Sequence, residues 1–221
     1  MSMTLPNYFL ADLPAEAVLS PAMVSEACQT LKRNRERYLL TRPTASLINV
    51  LSGVASSWLD PNYPFRTLAL EQGPARLGFS RATLSRGLDS FFKQLTRENL
   101  QALVEQDLGH ARRLDEMSAD NAEQAANRAA IANGPELLAH ITAGNLPNPA
   151  LLSIVLGILV RSAQFVKCST NTSLLPRLFA HSLYQLDPKL GACLEIAEWR
   201  DGGVERRQPE AVRRVVLPFL Q

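Results

Sequence analysis

Short apolar runs alternate with helix-length segments over residues 137–199, and this constrains the fold more than any other feature of the chain. "LLAHITA" is a short apolar run that stops at a glycine, Gly144. "NPALLSIVLGILVRSA" has the length of a helix, with Pro147 and Pro149 at its start. "QFVKC" is a second short run, and "NTSLLPRLFAHSLYQL" reads as a helix with Pro176 near its first turn, where a missing N–H does little harm. "GACLEIAEW" is a third strand candidate. Strand–helix–strand–helix–strand with tight links is a βαβ series, and the right-handed crossover rule makes its three strands parallel. The first helix, 149–163, is apolar on most faces, as expected of one packed on a sheet and under another layer.

Upstream, from about Pro21 to Gly134, the periodicity is helical. "AMVSEACQTLKRNRERYLL" (22–40) places Val24, Ala27, Cys28 and Leu31 on one face with basic residues between them. "TASLINVLSGVASSWL" (44–59) follows Pro43, with Thr44 a candidate N-cap and a wide stripe of Leu47, Ile48, Leu51, Val54 and Ala55. "DPNYPFR" breaks the chain, and "TRENLQALVEQDL" (96–108) opens at Thr96 and closes at Gly109, a C′ glycine. The expectation is therefore an α/β protein. A mainly helical region (1–136) precedes an incomplete Rossmann-like parallel sheet (137–199), with an atypical tail (200–221).

Composition narrows the class. With 221 residues, 46% hydrophobic and 20% charged, the chain has what a folded core needs. A net charge of +2 gives no reason to expect a polyanionic partner. The three cysteines show no C-x-x-C spacing, and their odd count argues against a secreted disulfide framework. "MSMTLPNYFLADLPAE" carries acids and no basic n-region, and the run Ala150 to Val160 is too short to span a bilayer. A cytoplasmic protein without a membrane span is expected.

Ligands of open parallel sheets bind beyond the carboxyl ends of the strands. Gly144-Asn145 follows the first strand and Lys167 the second. Gly144 lets backbone approach a ligand closely, and the Asn145 amide can donate to an oxyanion. Lys167 suits a ribose hydroxyl or a phosphate. On spacing alone, Gly-Asn as a plain turn and Lys167 as a solvated strand end are the favoured reading, and no G-x-G-x-x-G is present.

The stretch "GPELLAHITAGNLPNPALLSIVLGILVRSAQFVKCSTNTSLLPRLFAHSLYQLDPKLGACLEIAEW" (134–199) closely resembles the acyl-CoA reductase family of bacterial bioluminescence operons, a branch of the aldehyde dehydrogenase superfamily. "AGNLP" stands where aldehyde dehydrogenases have Trp-Asn-Phe-Pro, and "VKCST" where they have Val-Lys-Pro-Ser-Glu. Weaker similarity runs back through "RYLLTRPTASLINVLSGVASSWLDPNYPFR" and "LGFSRATLSRGLDSFFKQLTRENLQALVEQDLG". The resemblance implies reduction of a fatty acyl thioester, on CoA or on a protein, to an aldehyde with NADPH through a thioester on an enzyme cysteine. It places Asn145 as the oxyanion donor and Gly144, Lys167, Ser169 and Thr170 at the cofactor, with acyl-transferring or synthetase partner subunits. The superfamily's ribose-gripping glutamate falls at Thr170. A carboxylate there would repel a 2′-phosphate; threonine does not, and its hydroxyl can donate, which favours NADPH over NADH.

The family's nucleophilic cysteine lies in the second half of a chain roughly twice this length, and Cys28, Cys168 and Cys193 do not occupy its place. All three read as structural, so the chain alone is expected to be inactive. Arg200, Arg206, Arg207, Arg213 and Arg214 crowd 15 residues of the tail, and the resemblance fades at about Gly203. A truncated or frameshifted reductase is the first expectation, and a non-catalytic subunit docking on a full-length reductase, thioesterase or acyltransferase the alternative. "LGFSRATLSRGLDSFFKQL" (77–95) reads like a helix-turn-helix with Ser80 as N-cap and Arg81 and Arg86 on the second helix, but the near-zero net charge argues against nucleic acid. "KRNRER" (32–37) reads as a solvated helix face. His110, His140 and His181 are far apart and bare of acidic partners, so no metal site is expected.

Overall fold

The computed structural model describes residues 4–14, 16–142 and 148–199. Its helices are α1 (Pro21–Tyr38), α2 (Thr44–Leu59), α3 (Pro64–Leu77), α4 (Arg81–Phe92), α5 (Arg97–Leu108), α6 (Asn121–Ala125), α7 (Asn148–Leu159), α8 (Leu174–Leu186) and α9 (Pro188–Gly191). The strands are β1 (Leu137–Ile141), β2 (Ala163–Cys168) and β3 (Leu194–Glu198), and a 3-10 turn covers Leu10–Asp12. The sheet order is β1-β2-β3 and both pairings are parallel, with Ile141 opposite Lys167 and Lys167 opposite Ala197. This is the expected α/β fold with an incomplete Rossmann-like sheet.

Side chains alternate across a strand, so β2 divides its residues between two layers. Val166 and Cys168 join Ile196, Leu194 and the buried faces of α7 and α8. Ala163 and Phe165 join Leu137 and Ala197 against Val24, Cys28 and Leu31 of α1. Helices α2–α5 extend the first layer, where Trp58 stacks on Phe92 at 4.9 Å and donates its indole N–H to Ser182 Oγ at 2.9 Å. An apolar run buried on both sides explains why "AQFVKC" lacks the polar alternation of a half-exposed strand.

Helix starts follow their caps. Ser20 Oγ accepts the Met23 N–H, Ser80 Oγ that of Thr83, and Thr96 Oγ1 that of Asn99. Gly109 ends α5 at φ 74°, as expected. Thr44 is not an N-cap: α2 starts behind Pro43, and the Thr44 N–H and Oγ1–H both go to Asp115 Oδ1, at 2.9 and 3.0 Å. A distant carboxylate has taken the role expected of the local hydroxyl.

Helix α7 stops at Leu159, short of 163, because Arg161 turns the chain at φ 58°. It lies close on the sheet at Gly157, where a Cβ would stand 2.4 Å from Gln164 Oε1. Gln164 cannot step aside freely: its Nε2 donates to Ile154 O at 3.0 Å and its Oε1 lies 2.9 Å from His140 Nε2. Gly157→Ala is expected to cost about 2 kcal/mol by overpacking. Gly87→Ala in α4, whose new methyl meets only Asn148 Nδ2 at 3.9 Å, is expected to stabilise by about 0.5 kcal/mol. Urea midpoints of the two variants shifting the same way would refute this account of α7 packing.

Candidate functional site

The carboxyl ends of β1 and β2 are tied together. Thr142 N–H donates to Lys167 O at 3.0 Å, directly after β1 ends. Gly144 and Asn145 lie outside the described residues. Lys167 is the penultimate residue of β2 and is 6% exposed. Its Nζ lies 5.5 Å from the centre of the Trp199 ring, within reach of a cation–π contact. The solvated strand end allowed by the sequence is therefore excluded. Lys167 points to the α1 side of the sheet, where Phe165 and Trp199 form an apolar floor.

Beyond β2 the chain makes a tight turn. Thr172 N–H donates to Ser169 O at 3.1 Å, Thr172 Oγ1–H to the same oxygen at 2.8 Å, and the two hydroxyls are 3.0 Å apart. Asn171, the third position of this turn, has φ 66°, a left-handed value that asparagine tolerates better than most residues. Ser169 and Thr170 occupy the first two positions and are half-buried. The structure thus brings Lys167, Ser169 and Thr170 into one short segment at a strand end.

Glu198, the last residue of β3, was not legible as a site residue in the sequence. Its Oε1 accepts the Asn171 N–H at 2.9 Å, and its Oε2 accepts the Ser173 N–H at 3.3 Å and the Ser173 Oγ–H. The turn itself carries hydroxyl donors and no carboxylate, and Lys167 precedes it in β2. The neighbouring carboxylate has both oxygens engaged by the loop. That donor set suits a phosphorylated sugar.

The three cysteines are free and buried. Burial is the main reason the Cys28 and Cys168 thiols are pushed up to about 11 and the Cys193 thiol to about 12. At neutral pH none supplies an appreciable thiolate fraction. Cys168 adjoins Lys167 in sequence, but its side chain lies on the opposite face of β2.

Two expectations about charged groups are corrected. Arg35, within "KRNRER", is buried, and it donates to Arg161 O at 2.7 Å and to Gly134 O at 3.1 Å. His181 does have an acidic partner: its Nε2 lies 2.9 Å from Asp12 Oδ2, and Arg177 Nε lies 3.3 Å from Asp12 Oδ1. Both corrections rest on contacts across more than 90 residues, which sequence spacing cannot show. Among the described residues no group of three or more His, Cys, Asp and Glu side chains is placed to hold a metal ion, and no helix is long and apolar enough to cross a membrane.

A parallel α/β sheet with a buried lysine and a hydroxyl-bearing turn at one strand end defines a protein of Rossmann-like architecture. A family model described as Acyl-CoA reductase (LuxC) matches residues 40–207, and the chain belongs to that family. The match covers α2 to β3, including the α3–α4 segment that reads like a helix-turn-helix, and extends beyond Gly203. No curated protein gives a significant match to the chain.

Proposed function

We propose that this chain is the cofactor-binding part of a reductase that converts a fatty acyl-CoA, or an acyl thioester carried on a protein, to the aldehyde with NADPH. The observation that carries this reading is the buried Lys167 cation at the end of β2, before a turn whose own residues offer hydroxyls and no carboxylate, with the adjacent Glu198 carboxylate engaged by the loop's N–H groups. Lys167 would bind the adenosine ribose, and Ser169 and Thr170 would donate to its 2′-phosphate, where a carboxylate would repel it. Gly144 would let backbone approach the cofactor. The Asn145 amide would donate to the oxyanion that forms when a thiolate attacks the thioester carbonyl. NADPH supplies the hydride. Family membership supports the reaction class.

The nucleophile comes from outside these residues, because all three cysteines are buried thiols. The chain alone therefore binds cofactor without forming an acyl-enzyme. In the cytoplasm an acyl-transferring or synthetase partner would supply the thioester.

Fluorescence titration of the purified chain with NADPH and NADH tests the reading. NADPH is expected to bind more tightly. Lys167→Ala is expected to weaken it about tenfold, the worth of one charge-assisted contact. Equal binding of both nucleotides, or aldehyde production from acyl-CoA by the purified chain, would contradict this account.

A further inference from the structure

We infer that Glu198 is a positioning residue that sets the shape of the Ser169–Ser173 turn, and through it the site's choice between NADPH and NADH. The choice of nucleotide rests on the cofactor reading above; the hold on the turn does not. Each carboxylate oxygen takes a different part of the loop: Oε1 the Asn171 N–H at 2.9 Å, Oε2 the Ser173 N–H at 3.3 Å and the Ser173 hydroxyl. Asn171 is the residue held at φ 66°, so the carboxylate fixes the one backbone position that the turn strains most. Thr170 lies immediately before it, so the direction of its Cα–Cβ bond follows from that fixed backbone, and its β-branched side chain has few rotamers left to choose.

The carboxylate is itself well anchored. Glu198 ends a strand in register with Cys168, the last residue of β2, so both ends of the contact rise from neighbouring strands of one sheet. Ser173 also begins α8, whose first N–H groups have no partner within the helix. By accepting there, Glu198 places a negative charge at the positive end of α8 and spends its lone pairs on loop donors. The same geometry keeps a carboxylate near the turn while directing it at backbone donors.

Two readouts on the full chain separate the hold on the turn from the cofactor reading. Residue-resolved amide exchange on Glu198→Ala is expected to lose at least tenfold protection at Asn171 and Ser173, with β2 amides unchanged. Unchanged exchange at Asn171 and Ser173 overturns the positioning role whatever the cofactor does. In nucleotide titration, Glu198→Ala is expected to weaken NADPH about tenfold and NADH far less, with Glu198→Gln between wild type and alanine. Equal weakening of both nucleotides would show a general structural defect and overturn the specificity role. If the wild-type chain binds neither nucleotide, the cofactor reading and the specificity role fall, and lost protection at Asn171 and Ser173 still upholds the hold on the turn.

Discussion

Arg161→Ala is expected to lower the unfolding free energy by about 3 kcal/mol, a value set by breaking a largely buried ionic network. Arg161 is 7% exposed and lies at the turn between α7 and β2. Its Nε donates to Arg42 O at 2.7 Å, one terminal nitrogen donates to Leu114 O, and the other to Thr44 Oγ1 at 3.0 Å and to Asp115 Oδ1. Its own carbonyl accepts from Arg35 at 2.7 Å. One side chain therefore joins the α1–α2 link, the start of α2 and the segment after α5 to the amino end of β2. Removing it strands two carbonyls and a carboxylate. Asp115 is 36% exposed and can recover water, which keeps the loss toward the lower end for such networks. Arg161→Lys keeps the charge but not the planar fork, and is expected to restore less than half of the loss. Urea denaturation followed by circular dichroism measures both variants. A loss below about 1 kcal/mol for alanine would mean that the helices dock by apolar packing alone.

The parallel sheet was legible because its signal is local: three short apolar runs alternating with two helix-length segments, joined by tight links, leave few topologies open. The helix caps at Ser80 and Thr96 were legible for the same reason, since a cap spans three residues. Lys167 was legible by position but not by environment; the Trp199 ring that excludes the solvated reading lies 32 residues downstream in sequence. Arg161 and Glu198 were invisible as functional charges. Arg161 merely follows the apolar run Ala150 to Val160 in sequence, and its partners Arg42, Thr44, Leu114 and Asp115 lie 46 to 119 residues away. Glu198 looks like the polar end of a strand until the sheet register sets it beside the β2 turn. Thr44 shows the opposite error, a sound local rule overridden by a tertiary acceptor.

The stability of Glu195→Gln relative to wild type is expected to depend on pH, with a swing of about 3 kcal/mol between pH 4 and pH 8. Glu195 lies on β3 facing α1 and the N-terminal 3-10 turn, and its Oε1 accepts the Leu10 N–H at 2.7 Å. Burial pushes its carboxyl up from 4.5 to about 7, and the nearby Asp12 carboxylate adds to the rise, while the N–H groups of Leu10 and Ile196 oppose it. Below pH 4.5 the carboxyl is neutral in both the folded and unfolded chain, so its ionisation costs the fold nothing. Between 4.5 and about 7 the folded chain holds a proton that the unfolded chain has released, so stability falls as pH rises through this window. Above it both states are ionised and the full penalty remains. Glutamine keeps an oxygen for Leu10 and never ionises, so its advantage over glutamate should grow through that window and level off above pH 7. Charged neighbours do not reverse the sign: Lys32 of α1 acts on Cys28 and is engaged by Glu136 at 2.5 Å, and Asp12 is engaged by Arg177 and His181. Denaturation midpoints at pH 4, 6 and 8 give the difference directly. A wild-type-to-glutamine difference that is flat across these pH values would place the charged carboxylate in water, and the N-terminal turn would then lie over the sheet without sealing it.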